Sequence, residues 1–287
     1  MKELLVKTKQ TVMYRFAKTL YANTKRFMVK AASEKEYYEE NKKDKKENRF
    51  VNPIAELAIK EFKKAKGVFG DFALAESSVR CFLYYLLQQK QDNYNICEFG
   101  GGQSTLLWNI LAKYVNLTVT TYEHDPDWAQ YLIGHIDNKR IRINYCELMQ
   151  VNEEDRERMF NNPGQSRNIF RDTSIKIDAE QYKNLTLKNG FYNIENSQFP
   201  NRKIDAIVLD GPHGNGRSIC FPLFYNYIRE GTIVLLDDYH HYPFLEDLDR
   251  LFEYEIFEKR RQVISGKGWI VLKIIKKRLF SVLTDTL

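Results

Sequence analysis

Two apolar runs, residues 254–259 and 268–275, close the chain with a Ser-Gly-Lys-Gly stretch between them and no room for a crossover helix. Strands joined this tightly must pair as a hairpin, because a parallel pair needs a connection of a dozen or more residues. Upstream the pattern is the opposite. Short apolar runs at 95–99, 117–122, 140–146, 204–209 and 231–236 alternate with helix-length segments, which argues for a parallel sheet sandwiched by helices. Two helices are expected before the first strand, over 53–66 and 75–90; the second sets Val79, Phe82, Leu83, Leu86 and Leu87 at i, i+3, i+4 spacing. The expected fold is α/β, a doubly wound seven-stranded sheet with an antiparallel last strand.

The expected division is a basic helix and charged linker over 1–50 and one large domain over 51–287. A content of 43% hydrophobic residues, with 18 Phe and 18 Tyr, supplies enough apolar area for a real core. The formal charge of +6 is concentrated: residues 1–30 hold eight Lys and Arg against one Glu, so the remaining chain is nearly neutral. A neutral body argues against nucleic acid as substrate, since phosphate binding needs a clustered basic footprint. Cys81, Cys97, Cys146 and Cys220 lie far apart with no CxxC pair, and read as reduced core residues. The longest apolar runs are too short to span a bilayer and no cleavable leader follows Met1, so a cytoplasmic location is expected.

Residues 2–30 lack Gly and Pro and place Leu5, Val12, Met13, Phe16, Leu20 and Phe27 on one arc, with Lys7, Arg15, Lys18 and Lys25 opposite. Such a basic amphipathic helix can pack on its own domain or a sister subunit, or lie peripherally on the inner face of an anionic membrane. Residues 33–49, charged and almost without aliphatic side chains, read as a solvated helix extension or linker. The connection 148–203 is far longer than the two to six residues usual at such a point. Its Phe160, Phe170, Tyr182, Phe191, Tyr192 and Phe199 suit either a substrate lid above the strand ends or a decorative or dimerising insertion.

The strand over 95–99 runs into Glu98-Phe-Gly100-Gly101-Gly102-Gln-Ser104-Thr105 and then a helix. Glycines let the backbone turn sharply and approach a ligand, and the helix start offers free N–H groups to an anion. A dinucleotide fingerprint places a glycine where Thr105 stands. The spacing serves a pyrophosphate poorly but suffices for a smaller carboxylate. The second strand ends in Glu123-His124-Asp125, an acid about 20 residues past the loop, where a carboxylate holds ribose hydroxyls or simply caps the next helix.

With those residues in place, 95–275 resembles a class I S-adenosylmethionine-dependent methyltransferase, with its Rossmann-like sheet of six parallel strands and an antiparallel seventh. The resemblance implies S-adenosyl-L-methionine as cofactor, held at Glu98, Gly100, Gly101, Gly102, Ser104, Thr105, Glu123 and His124, with Glu147 beside the adenine and Asp210 at the methyl end.

Two strand ends carry the remaining chemistry, Asp210-Gly-Pro-His213 and Asp237-Asp238-Tyr-His240-His241. Methyl transfer needs an aligned acceptor that sheds a proton, a task for a histidine base or for a metal held by hard oxygen ligands. The catalytic candidates are Asp210, His213, Asp238 and His240. In an extended segment His240 and His241 cannot both face one site, which makes His213 the better single base. The two acids after Leu236 are similar to the metal-dependent sugar O-methyltransferases of macrolide tailoring, which implies Mg2+ on Asp210, Asp237 and Asp238, although Pro212-His213 replaces an acidic stretch of that group. Asp210-Gly-Pro with Arg217 instead resembles the glucuronoxylan-type O-methyltransferases. The alternative for Asp210 and Asp238 is that they terminate strands and cap helices. The expected function is O-methylation of a saccharide or another small hydroxylated metabolite. The rivals are a methyltransferase of protein or nucleic acid, and a membrane-associated scaffold with a degenerate domain.

Overall fold

The structure, a computed structural model, describes residues 32–278 apart from 34, 37, 45, 71–72, 179–186 and 264–266. The basic helix expected over 2–30 lies outside the described residues, as does Tyr182. Helices α1 (Pro53–Lys64) and α2 (Glu76–Gln88) lead into β1 (Tyr94–Phe99), α3 (Gln103–Leu111), β2 (Leu117–Glu123), α4 (Pro126–His135) and β3 (Ile141–Tyr145). The connection that follows contains β4 (Leu148–Gln150), α5 (Glu153–Asn161), α6 (Ser166–Thr173), β5 (Ile175–Lys176) and β6 (Gly190–Tyr192). The chain then forms β7 (Ile204–Leu209), α7 (Cys220–Leu223), β8 (Ile228–Asp237), α8 (Phe244–Leu251), β9 (Phe252–Arg261) and β10 (Gly268–Lys277).

The main sheet has seven strands in the order β3-β2-β1-β7-β8-β10-β9. β1 pairs parallel with both β2 and β7, and β7 parallel with β8. β10 is antiparallel to both of its neighbours, β8 and β9. The parallel part and the closing hairpin therefore follow the expected pattern. Sheet order reverses between β1 and β7, and a crevice opens at the carboxyl ends of the strands at such a switch point.

Both faces of the sheet are covered, which is why β1 and β7 are buried at every residue rather than at alternate ones. On one face α1, α2 and α3 pack Phe62, Phe82 and Trp108 against Ile96, Val208 and Leu235. The other face is covered largely by the long connection. Phe160, Phe170, Phe191, Tyr192 and Phe199 all enter one core with Phe99, Leu209 and Phe224, and β5-β4-β6 form a small sheet of their own. These aromatics were expected on a lid. Most of them are instead a structural layer, because a sheet face this apolar must be buried against something.

The charged stretch ahead of α1 is docked rather than free. Residues 38–44 are helical, and Asp44, 2% exposed, pairs with Arg260 on the edge strand β9 at 2.7 Å, as does Glu40 at 2.7 Å. Arg49 reaches Glu258 at 2.7 Å. Charged side chains thus cover part of an edge strand that would otherwise offer unpaired backbone. Among the described residues no helix is long and apolar enough to cross a membrane. The four cysteines are free and buried, and burial pushes their thiols up.

Candidate active site

The glycine loop is shaped by backbone contact. Phe99 C=O accepts from Asp210 N–H at 2.9 Å and Gly211 N–H at 2.7 Å, which ties the loops after β1 and β7 together. Gly100 has φ +90, and a Cβ there would stand 2.7 Å from Gly211 N; only glycine fits so close an approach in that conformation. Gly101 packs on Leu132 of α4. Gly102 differs: its backbone is extended and a Cβ would meet nothing within 4 Å, since this residue faces an open cavity.

That cavity, about 620 Å³, is lined by Gly100, Gly101, Gly102 and Ser104 of the loop and α3 start, Glu123 and His124 at the end of β2, Asp210 and His213 after β7, and Asp237 and Asp238 at the end of β8. Residues from four strand ends therefore share one space. Glu123 is anchored: its Oε1 accepts from the His124 and Asp125 amides, each at 2.8 Å. Those bonds leave its second oxygen for a ligand.

Two expected contacts lie behind the loop instead. Glu98 is fully buried and absent from the lining. It accepts from Thr105 Oγ1 at 2.6 Å, Trp108 Nε1 at 2.7 Å and Thr121 Oγ1 at 2.8 Å. Thr105 in turn accepts from Gly102 N–H at 2.9 Å and is itself fully buried. Burial raises the Glu98 carboxyl, and these donors pull it back down. Glu98 and Thr105 thus hold the loop from beneath rather than line the cavity, because β1 has no solvent-facing side. Glu147 is also displaced: it stands outside the cavity, paired with Lys176 at 2.6 Å.

At the other end of the cavity Asp210 and Asp237 face each other. Burial is the first cause raising both carboxyls, and for Asp237 the neighbouring Asp210 charge comes next. The two share a hydrogen bond, so one of them keeps its proton under conditions where an exposed Asp has lost it. Buried Arg217 staples the site, donating from Nε to Pro212 C=O at 2.7 Å and from Nη1 to Asp237 C=O at 3.0 Å. His213 is held below the ordinary imidazole value, first by burial and then by Arg217.

Asp210, Asp237 and Asp238, expected to hold magnesium, are not brought together as one ligand group among the described residues. Among the described residues, the group whose ligand atoms gather within 4.8 Å of one another is Asp238, His240 and His241. Asp237 instead bonds Asp210. Two imidazoles beside Asp238 do not suit an ion that wants near-octahedral oxygen ligands, so no step through magnesium is derived. His240, expected as a catalytic group, stands off the cavity lining and joins His241. The expectation that both histidines cannot face one way assumed an extended chain. The segment is a turn, closed by His241 N–H donating to Asp238 C=O at 3.1 Å, and the two ring centroids are 4.1 Å apart.

Several lining residues had no marker in the motifs. Trp128, in the first turn of α4, donates to Gly101 C=O at 2.7 Å. Tyr192 reaches the cavity from the long connection, Lys267 from the β9–β10 turn, and Gly70 and Ala73 from the α1–α2 link. Only Trp128 had a local signal, the Asp125-Pro126 helix start that sets the residues after Glu123 beside the loop.

The sheet order, the antiparallel seventh strand and the glycine loop at the switch point define a class I S-adenosylmethionine-dependent methyltransferase fold. Residues 97–239 match the profile of a family described as a methyltransferase domain. No curated protein matches the chain. Among solved structures it is similar to a Pyrococcus horikoshii protein described as a transferase, at 13% identity and TM-score 0.38, covering 74% of this chain and 66% of that one. A ribosomal protein methylase from Lactobacillus delbrueckii subsp. bulgaricus gives 13% identity and TM-score 0.38 over 72% of this chain and 81% of its own. A Staphylococcus aureus protein described as a caffeoyl-CoA O-methyltransferase gives 13% and 0.36 over 83% and 98%.

Proposed function

We propose that the chain is an S-adenosylmethionine-dependent O-methyltransferase acting on a small hydroxylated acceptor, with saccharides the favoured class. The observation that carries the reading is the single cavity in which an open-faced glycine loop and an anchored Glu123 stand opposite Asp210, His213 and Asp238. Its volume of about 620 Å³ lies in the range of small-ligand sites.

The lining fits the cofactor. The α3 start faces a carboxylate with first-turn amides, Gly102 leaves room where a side chain would intrude, and the Glu123 oxygen is placed for ribose hydroxyls. When bound, S-adenosylmethionine supplies a methyl group on a sulfonium. The chain's own part is to align the acceptor and take its proton, a role for His213, whose burial favours the neutral imidazole. Asp210 and Asp238 are placed to hold acceptor hydroxyls. Tyr192, from the connection expected to be a substrate lid, lines the cavity and would be that connection's point of contact with the acceptor.

Isothermal titration with S-adenosylmethionine and with NAD tests the reading; binding of the first alone is expected, and NAD binding without S-adenosylmethionine binding refutes it. Incubation with labelled cofactor and a panel of saccharides, phenols and protein then reads the acceptor class. The glycines separate fold from ligand. Gly102→Val should keep the melting temperature within about 4 °C, since its main cost is a poorer helix cap, while weakening cofactor binding more than about tenfold. Gly100→Ala should instead fail to fold, because its Cβ meets backbone at 2.7 Å.

A further inference from the structure

We propose that Asp238, His240 and His241 form a binding site for one divalent transition-metal ion of the zinc or cobalt kind. Each residue offers one ligand atom, and the three atoms lie within 4.8 Å of one another. Ligands around such an ion sit about 2.0–2.2 Å from it, so modest side-chain rotation closes the set. The backbone brings them together. Asp238 takes the left-handed conformation, φ 52, which costs a non-glycine residue energy and is retained where the surroundings demand it. The turn that follows carries both imidazoles to the same side.

In the same residues, Asp238 Oδ1 and His240 Nδ1 are buried without a hydrogen-bond partner among the described residues. Buried polar atoms are nearly always satisfied, and each exception calls for an explanation. A coordinated ion accounts for both at once. Two imidazoles and one carboxylate suit borderline ions better than magnesium or calcium, which take oxygen. Three protein ligands leave coordination positions open. Asp238 also lines the main cavity, and three strand spacings, about 14 Å, separate its strand from that of Glu123. On the methyl-transfer reading, on which this last step rests, the ion would belong to the acceptor end and not to the cofactor end.

The test uses untagged full-length protein stripped with EDTA and titrated with Co2+, followed by absorption and calorimetry. One Co2+ per chain with visible d–d bands, displaced by Zn2+, is expected. His240→Ala and His241→Ala should each weaken binding at least about tenfold while circular dichroism stays unchanged, since neither side chain belongs to the core. Binding at millimolar concentrations only, or stoichiometric binding that both variants retain, overturns the site. Metal binding without S-adenosylmethionine binding would retire the methyltransferase function and leave the site; the reverse would retire the site alone.

Discussion

Glu98→Leu should destabilise the domain by about 3–5 kcal/mol, on the order of 10 °C in melting temperature for a chain of this size. The substitution keeps roughly the volume but removes the acceptor for Thr105 Oγ1, Trp108 Nε1 and Thr121 Oγ1. Those donors are buried, so water cannot replace the carboxylate, and each orphaned donor costs about 1–3 kcal/mol. Glu98→Gln should lose only about 1 kcal/mol. Its oxygen can serve Trp108 while its amide donates to the threonine hydroxyls, which accept as well as donate. Thermal denaturation of the two variants gives the comparison. Equal losses would mean that packing volume, not the hydrogen-bonded clamp, holds the loop. Cofactor affinity should fall with Glu98→Leu as a consequence of a slackened loop, since Glu98 itself does not line the cavity.

The same residue shows what was legible in the sequence and what was not. Strand-length apolar runs locate β1, β2, β7 and the carboxyl half of β8 because buried parallel strands are apolar on both faces, while β3, at the sheet edge, exposes Arg142 and Tyr145. The short link of residues 262–267 between β9 and β10 leaves no room for a crossover helix and fixes the antiparallel end. The glycine loop is legible for a similar reason: the approach of Gly100 to Gly211 tolerates no side chain. Position on a strand does not, however, say which way an acid turns. Glu98, the penultimate residue of β1 and level with Thr121 of β2, turns into the hydrogen-bonded space beneath α3, whereas Glu123, the last residue of β2 and two residues further along, meets the cavity.

Long-range neighbours were hidden for another reason. Asp44 and Arg260 lie 216 residues apart and meet through a bidentate pair, which composition alone presents as two solvated charges. Phe160, Phe191 and Phe199 read as part of a substrate lid because nothing local shows that a sheet face awaits them. The His240-His241 pair was misjudged through a local assumption, extended backbone where a positive φ at Asp238 begins a turn. Asp237 and Asp238, adjacent in sequence, serve different neighbours: one bonds Asp210, the other stands with the histidines.

His213→Ala should lower kcat by about 10²–10⁴, the usual contribution of a positioned general base, with S-adenosylmethionine affinity changed less than about twofold. The side chain lines the cavity three residues beyond Asp210, on the strand-end loop that Arg217 fixes through Pro212. Burial and the Arg217 charge both disfavour the imidazolium. The sign follows: a lowered imidazole keeps the base neutral down to more acidic pH than a free histidine, whose ordinary value is about 6.5. The wild-type kcat/KM should therefore stay level across neutral pH and fall only below that value. Protonation of His213 is then what removes activity. His213→Gln should show low turnover and no such limb over the same range. If the limb persists in that variant it belongs to Asp210, whose carboxyl is also raised toward that range by burial. The proton would then leave through the Asp210–Asp237 pair, and the role of His213 would be to orient the acceptor.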